Sequence, residues 1–284
     1  MRRTPKQRWG QLKGICVRIA VLSLTVHVLS GCRHPLAPSG LHSFDFVQMC
    51  DPQIGFGEYA ADLGRLEQAT KQINALRPDL VVVCGDLVNK PDEKSFRDFR
   101  TAIAHLAVPW YVAPGNHDLG NEPTLQSLEQ YRRLIGNDYY AVDHKGCLIV
   151  VVNSQLWKTP LAGETEGQDR WLLRTLKSAA RKQRRVFIVM HHPLFVKEAE
   201  EPDNYFNLPL GKRRELLALF ESFGVVAILA GHTHTTATHD YHGIQIVNSE
   251  TTSQNFDKRP YGFRVWHVAA QRPYQNEFVP LAGQ

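Results

Sequence analysis

The sequence predicts an α/β fold in which a largely buried mixed sheet, or a pair of sheets, lies between helices. Three observations predict it. From Phe44 onward, strand-like and helix-like segments take turns. Two segments, DLVVVC at 79–84 and VVAILA at 225–230, are continuous apolar runs, the pattern of strands buried on both faces. After residue 237 the chain turns to strands alone. That order suits one domain with its helices on the outer faces.

The elements follow in order. FDFVQMC (44–50) is an apolar strand, and YAADLGRLEQATKQINAL (59–76) keeps Leu63, Leu66, Ile73 and Leu76 at roughly helical spacing. After the strand DLVVVC, a polar helix near Lys94–Leu106 leads to the strand PWYVA at 109–113. A helix near Pro123–Ile135 precedes a hairpin, YYAVD and CLIVVVN, turned on HKG through Gly146. WLLRTLKSAARKQ is a helix and VFIVM a strand; GKRRELLALFESFG is a helix stopped by Gly224, leading into VVAILA. THDYHGIQIVNS forms a second hairpin and FRVWHVAA a further strand.

The length of 284 residues is enough for one large domain. The formal charge of +5 misleads, because residues 1–31 carry six basic side chains and no acid. Without them 27 basic residues face 28 acidic ones, so no basic surface argues for nucleic acid. Residues 1–31 have a basic start, the apolar core Ile19–Leu29 and small residues before a cysteine, the plan of a secretory signal. The core is about half the ~20 residues a membrane span requires. Leu29-Ser30-Gly31-Cys32 resembles a bacterial lipobox, so Cys32 is expected to anchor the protein to a membrane by lipid. The expected organisation is a signal at 1–31, a Pro/Ser/Gly tether at 32–43 and one domain at 44–284. The expected location is the bacterial cell envelope, after export across the cytoplasmic membrane. Cys50, Cys84 and Cys147 are expected as small buried residues.

Five strands in turn run into polar groups: CDPQ, CGDL, PGNHD, MHHP and AGHTH. These deliver Asp51 and Gln53, then Asp86, then Asn116, His117 and Asp118, then His191 and His192, then His232 and His234. Each group alone could be a turn or a capped strand end. Their recurrence at successive strand ends is poorly explained by chance, and strand carboxyl ends are where open α/β folds place their sites. Carboxylates, carboxamide oxygens and imidazoles together suit first-row divalent metals without thiolate. A carboxylate can bridge two ions about 3.5–4 Å apart, the separation used in two-metal phosphate hydrolysis.

With these residues in view, the chain resembles the calcineurin-like metallophosphoesterases. DPQIG, CGDL, PGNHDLGNEPT, GNDYY, NSQ, HHPLF and YFNLP are similar to the subgroup of calcineurin-like phosphoesterase domain-containing protein 1, whose members are described as serine/threonine protein phosphatases. The resemblance implies a metallophosphoesterase fold: two mixed β-sheets packed as a sandwich and flanked by α-helices. It implies one metal on Asp51, Gln53, Asp86 and His234, and a second on Asp86, Asn116, His191 and His232. It also implies that His117 faces the substrate and that Asp118 orients it. Two divalent ions are the expected cofactors, Mn²⁺ before Fe, Zn²⁺ or Mg²⁺. Gln53 stands where histidine is commoner; its oxygen either binds metal, favouring Mn²⁺ or Mg²⁺ over Zn²⁺, or hydrogen-bonds behind the ligands.

Tyr205 and Asn207 are candidates for the substrate wall, His192 for shaping the pocket, and Asn153 either orients a ligand or caps a strand end. The implied reaction is attack of metal-bound hydroxide on a phosphate monoester, a phosphoserine or phosphothreonine protein or a small-molecule phosphate. A phosphodiesterase acting on nucleotides or lipid head groups is the nearest rival. A catalytically silent, metal-stabilised binding lipoprotein is the rival of another class.

Overall fold

In a computed structural model, which describes residues 42–269 and 274–283, the chain forms two mixed sheets with helices on their outer faces. The first half runs β1 (Phe44–Met49), α1 (Tyr59–Leu76), β2 (Leu80–Cys84), α2 (Glu93–Ile103), β3 (Trp110–Ala113), α3 (Asn116–Leu119) and α4 (Leu125–Leu134). The second runs β4 (Tyr140–His144), β5 (Cys147–Val151), α5 (Gln155–Lys158), α6 (Glu164–Arg181), β6 (Arg185–Val189), α7 (Leu210–Ser222) and β7 (Val225–Ala230). Strands β8 (Ala237–Tyr241), β9 (Ile244–Asn248), β10 (Gly262–Val268) and β11 (Gln275–Pro280) complete it. These residues fall in one compact unit, Ala37–Gln284. The expected leader, Cys32 and all but the last two residues of the expected tether lie outside the described residues.

One sheet has the order β11-β10-β1-β2-β3, with β1, β2 and β3 parallel; the other is β4-β5-β6-β7-β9-β8, with β5, β6, β7 and β9 parallel. Antiparallel β4 and β8 close both edges of the second sheet, whereas the first is closed by antiparallel β11 on one side and by the parallel β3 on the other. Helix α1 lays Leu66, Ala69 and Ile73 over Val47, Val81 and Val83 of the first sheet. Helices α6 and α7 lay Leu172, Leu176, Leu216 and Phe220 over Val150, Ile188 and Ile228 of the second. Each such fully buried side chain contributes roughly 1.5–3 kcal/mol.

Between the sheets, Phe46 stacks on Trp266 at 5.8 Å and meets Phe187 edge-on at 5.5 Å. The buried Gln48 of β1 accepts from Trp266 Nε1 (2.9 Å) and donates across the layer to Val247 O (3.1 Å) and Ala230 O (3.3 Å). A polar side chain deep in a strand is satisfied there, and it ties the layers together. The three described cysteines are buried thiols.

Helix α6 begins seven residues before the expected Trp171. Its first turns bury polar Thr165 and Gln168, not an apolar stripe, and Gln168 bonds the main chain of Asn153 instead. Strand β11 has no apolar alternation to announce it and forms by pairing with β10 at the edge.

Candidate metal centre

The carboxyl ends of β1, β2, β3, β6 and β7 meet at one end of the sandwich. All of Asp51, Gln53, Asp86, Asn116, His191, His232 and His234 are buried there, each with no more than 4 % exposure. Asp51, Gln53, Asp86, His232 and His234 adopt positive φ, between 33° and 69°. Left-handed backbone at non-glycine residues costs on the order of 1–3 kcal/mol each and persists where surrounding contacts enforce it. Those contacts are the loops' bonds to one another. Both oxygens of Asp51 accept His232 N–H (3.0 and 3.2 Å), Asp86 Oδ1 accepts His117 N–H (2.9 Å), and Gln53 N donates to Asp86 O (2.8 Å).

The backbone had to approach closely to permit this. A Cβ on Gly115 would stand 2.0 Å from Asp86 Oδ1, and one on Gly231 would stand 2.3 Å from Asp51 Oδ2. The glycines of PGNHD and AGHTH leave room for the carboxylates.

Four imidazoles share one arrangement. His191 Nδ1 donates to Cys84 O (2.9 Å), His234 Nδ1 to Gln254 O (2.6 Å), His117 Nδ1 to Asn89 O (3.1 Å) and His232 Nε2 to Tyr205 O (3.3 Å). Each main-chain carbonyl fixes a tautomer and leaves the other ring nitrogen as a lone-pair donor, the usual second contact of a metal-binding histidine. His191 Nε2 lies 3.3 Å from Asp86 Oδ2 and 3.0 Å from Asn116 Oδ1; His234 Nε2 lies 3.8 Å from Asp51 Oδ1. Ligand atoms of Asp51, Asp86 and His191 lie within 4.8 Å of one another, as do those of His191, His192 and His232.

Gln53 answers to the same test. Its Nε2 donates to Asn89 Oδ1 (3.4 Å), while its buried Oε1 has no hydrogen-bond partner. A buried carbonyl oxygen without a donor is costly unless something else takes its lone pairs, so the donor set fits a bound cation.

The electrostatics agree. Burial pushes the Asp51 carboxyl up to about 6, although His234 and His191 pull it down. Burial would raise Asp86 too, but His191 above all, with His117 and His232, holds it well below the usual carboxylate range. Burial would lower His191, and the Asp86 and Asp51 carboxylates overcome it and lift the imidazole to about 9. Burial and His191 together drive His232 down to about 3. The buried carboxylates thus favour positive charge beside them, either a second proton on His191 or, on the same Nε2 lone pair, a metal cation.

Asp118 corrects an expectation. Its carboxylate does not reach the His117 ring. It accepts from the main-chain N–H of Gly115 (2.8 Å), Leu87 (3.0 Å) and Val88 (3.2 Å). It sits in the third position of the short α3, which turns the carboxylate back over the helix start. Burial beside Asp86 pushes it up to about 8, against those three donors. It splints the β2 loop to the β3 loop, and Asn89 orients His117.

Asn207 and Asn153 are corrected likewise. Asn207 is fully buried, donating to Glu201 Oε1 (2.7 Å) and Pro202 O (2.9 Å) and accepting from Asn204 N (2.9 Å). Asn153 donates to Asp138 Oδ2 (3.0 Å) and accepts from Gln155 N (3.1 Å). Asn207 closes its own loop, and Asn153 ties the turn after β5 to the loop before β4. His192 is also buried, held against Ser154 Oγ (3.1 Å) with its ring 4.3 Å from that of His232. Burial and His232 depress its pKa well below that of an ordinary histidine. Tyr205 does stand at the site, half-exposed, with its hydroxyl accepting from Asn116 Nδ2 (3.1 Å).

The family model described as Calcineurin-like phosphoesterase matches residues 41–236. The serine/threonine-protein phosphatase CPPED1 of Rattus norvegicus is 33% identical over 256 residues, covering 81% of each chain, and that of Homo sapiens is 31% identical over 255 residues, also covering 81% of each. A dimetal phosphatase from Danio rerio superposes with a TM-score of 0.58 over 84% of this chain and 99% of its own, at 18% identity, which shows a shared fold. This chain therefore belongs to the calcineurin-like phosphoesterase family and is a metal-dependent phosphoesterase.

Proposed function

We propose that the protein hydrolyses phosphate monoesters on a pair of divalent ions. Asp51, Gln53, Asp86 and His234 would hold one ion, Asp86, Asn116, His191 and His232 the other, and Mn²⁺ is the favoured occupant. The observation that carries this reading is the shared aim of His191 and His234, each pinned by a carbonyl and turned toward a buried carboxylate. When bound, the ions supply Lewis acidity toward the phosphoryl oxygens and lower the pKa of water. His117 is less buried than the ligands, and with Nδ1 on Asn89 O it presents Nε2 to deliver a proton to the departing alcohol. The relatives' names extend the substrate class to phosphoserine and phosphothreonine esters, with small-molecule monoesters as the alternative. The metal-reconstituted protein should cleave p-nitrophenyl phosphate at least about tenfold faster than bis(p-nitrophenyl) phosphate, and the reverse preference would identify a diesterase.

His117→Ala should retain both metals and lose turnover by about 10²–10⁴-fold on alkyl phosphates, but far less on p-nitrophenyl phosphate, whose phenolate leaves without protonation. Equal losses on both would remove the proton-donor role.

Gln53→His should raise affinity for Zn²⁺ and Fe relative to Mn²⁺ and Mg²⁺, because imidazole replaces a hard oxygen. Gln53→Ala should weaken one ion's binding and spare the other. Direct titration with each metal measures both; unchanged affinities in the two variants would place Gln53 outside the ligand set.

The same proposal extends to location. Leu29-Ser30-Gly31-Cys32 supports a lipid-anchored protein of the bacterial envelope. Cys32→Ala should then abolish lipid labelling and release the protein from membranes. Membrane retention of the variant at the unsubstituted level would end this reading.

A further inference from the structure

Among the described residues the exposed large apolar side chains are Leu76, Leu125, Leu173, Tyr205, Phe206 and Phe256, and the three aromatic ones all stand at the metal centre. Tyr205 and Phe206 pack on the His232 ring, with centroids at 5.0 and 5.6 Å. On the other side, Phe256 stacks on His234 (4.8 Å, 19° between planes), and Phe56 lies 5.2 Å from His234 and 6.2 Å from Phe256. Phe56 is also 6.5 Å from the His117 ring.

These rings do not sit on loose loops. The main-chain N–H groups of Gly55 and Gly57, on either side of Phe56, both donate to Asp62 Oδ2 (3.0 Å each), a buried carboxylate in the first turn of α1 that also pairs with Arg65. Phe256 N donates to His234 O (2.7 Å), and Asp257 Oδ2 accepts from Thr236 N (2.9 Å). The loop of Tyr205 and Phe206 is held by the fully buried Arg213, which donates to Ala199 O, Glu201 O and Leu208 O (2.8–2.9 Å). Glu201 adds two short bonds to Val196 N and Lys197 N (2.7 and 2.8 Å). Exposed aromatic rings clustered at one site on loops this firmly bonded mark a surface that contacts a ligand.

Resting on the monoester reading above, we infer that Phe56 and Phe256 form a subsite for the leaving alcohol and select phosphate esters whose alcohol carries a flat apolar group. Their position decides which part of the substrate they meet. Phe56 lies beside His117, the group proposed to protonate the departing oxygen, and Phe256 lies next to Phe56, so the alcohol departs along their faces. Phosphoryl oxygens face the carboxylate and imidazole cluster, and the carbon skeleton must extend outward past Phe56, where a ring offers dispersion contact and edge-to-face packing.

The test uses pairs matched in alcohol acidity, so that chemistry does not mask binding. With the metal-loaded protein, 2-phenylethyl phosphate should exceed ethyl phosphate in kcat/KM by about tenfold, and 2-phenylethylphosphonate, which cannot be hydrolysed, should bind about tenfold tighter than ethylphosphonate. Phe56→Ala and Phe256→Ala should each reduce both ratios on the order of threefold to tenfold. Phe256→Trp should restore them, and Leu173→Ala, outside the site, should leave them alone. Ratios are insensitive to the fraction of protein folded. Ratios near one in the unsubstituted protein, or ratios indifferent to both phenylalanines, overturn the subsite. Tight discrimination between the phosphonates without hydrolysis of either ester supports the subsite and overturns the monoesterase reading instead.

Discussion

Asp86→Asn is expected to lower kcat/KM by about 10²–10³-fold or more and to remove at least one of two bound metals per chain. The size follows from its position. Asp86 is almost wholly buried, at the end of β2, with one carboxylate oxygen held by His117 N–H and the other 3.3 Å from His191 Nε2. It belongs to both proposed ligand sets, so its negative charge would serve two cations at once. Asparagine keeps the shape and the hydrogen bond from His117 but offers one neutral oxygen. Metal analysis of the purified variant, alongside turnover of p-nitrophenyl phosphate, separates loss of metal from loss of fold. Two ions bound at full occupancy in the variant would sink the bridging role. The expectation differs from that for His117→Ala, where metals stay and turnover falls. The two variants therefore divide holding the ions from assisting the leaving group.

The sequence made the ligands legible because each follows a strand whose own pattern is plain. LVVVC is apolar throughout and forms the buried β2, so the GD after it lies at a strand end. Helix α1 has the bounds its spacing predicted, since one face carries Leu66 and Ile73 against the sheet. What the sequence could not display is the set of main-chain carbonyls that aim the histidines. Cys84, Asn89, Tyr205 and Gln254 act through backbone oxygen, which leaves no residue type to recognise. Asp118 illustrates the same limit from the other side. A carboxylate one residue after a histidine invites pairing with it, yet neighbouring side chains on a short helix diverge, and three unpaired amides lay closer to hand. Asn207 was visible as a polar residue in an aromatic loop, but only the fold shows that Glu201 takes its amide.

Gly231→Ala should be nearly as damaging as Asp86→Asn, although it adds one methyl group and removes no ligand. Gly231 has no positive φ, so alanine is acceptable to the backbone itself. The objection is contact alone: the new Cβ would stand 2.3 Å from Asp51 Oδ2 and 3.0 Å from the main-chain oxygen of Cys84. Neither neighbour can yield easily. Asp51 is fully buried with both oxygens on His232 N–H, and the Cys84 carbonyl already accepts from His191 Nδ1. Relief must displace Asp51, or open β1 and β2 away from β7, and either outcome separates Asp51 from His234. The overpacking should cost roughly 1–3 kcal/mol of stability. Activity should fall about 10²-fold or more, through weaker binding of the ion that Asp51 and His234 are proposed to share. Gly64→Ala is the matched control, because a Cβ there meets nothing within 4 Å and the residue lies inside α1. It should stabilise the fold by about 0.5–1 kcal/mol and leave metal content unchanged. Thermal unfolding and metal analysis of both variants make the comparison. If Gly231→Ala kept full metal occupancy and turnover, the close approach of the AGHTH turn to Asp51 would not be what builds the centre.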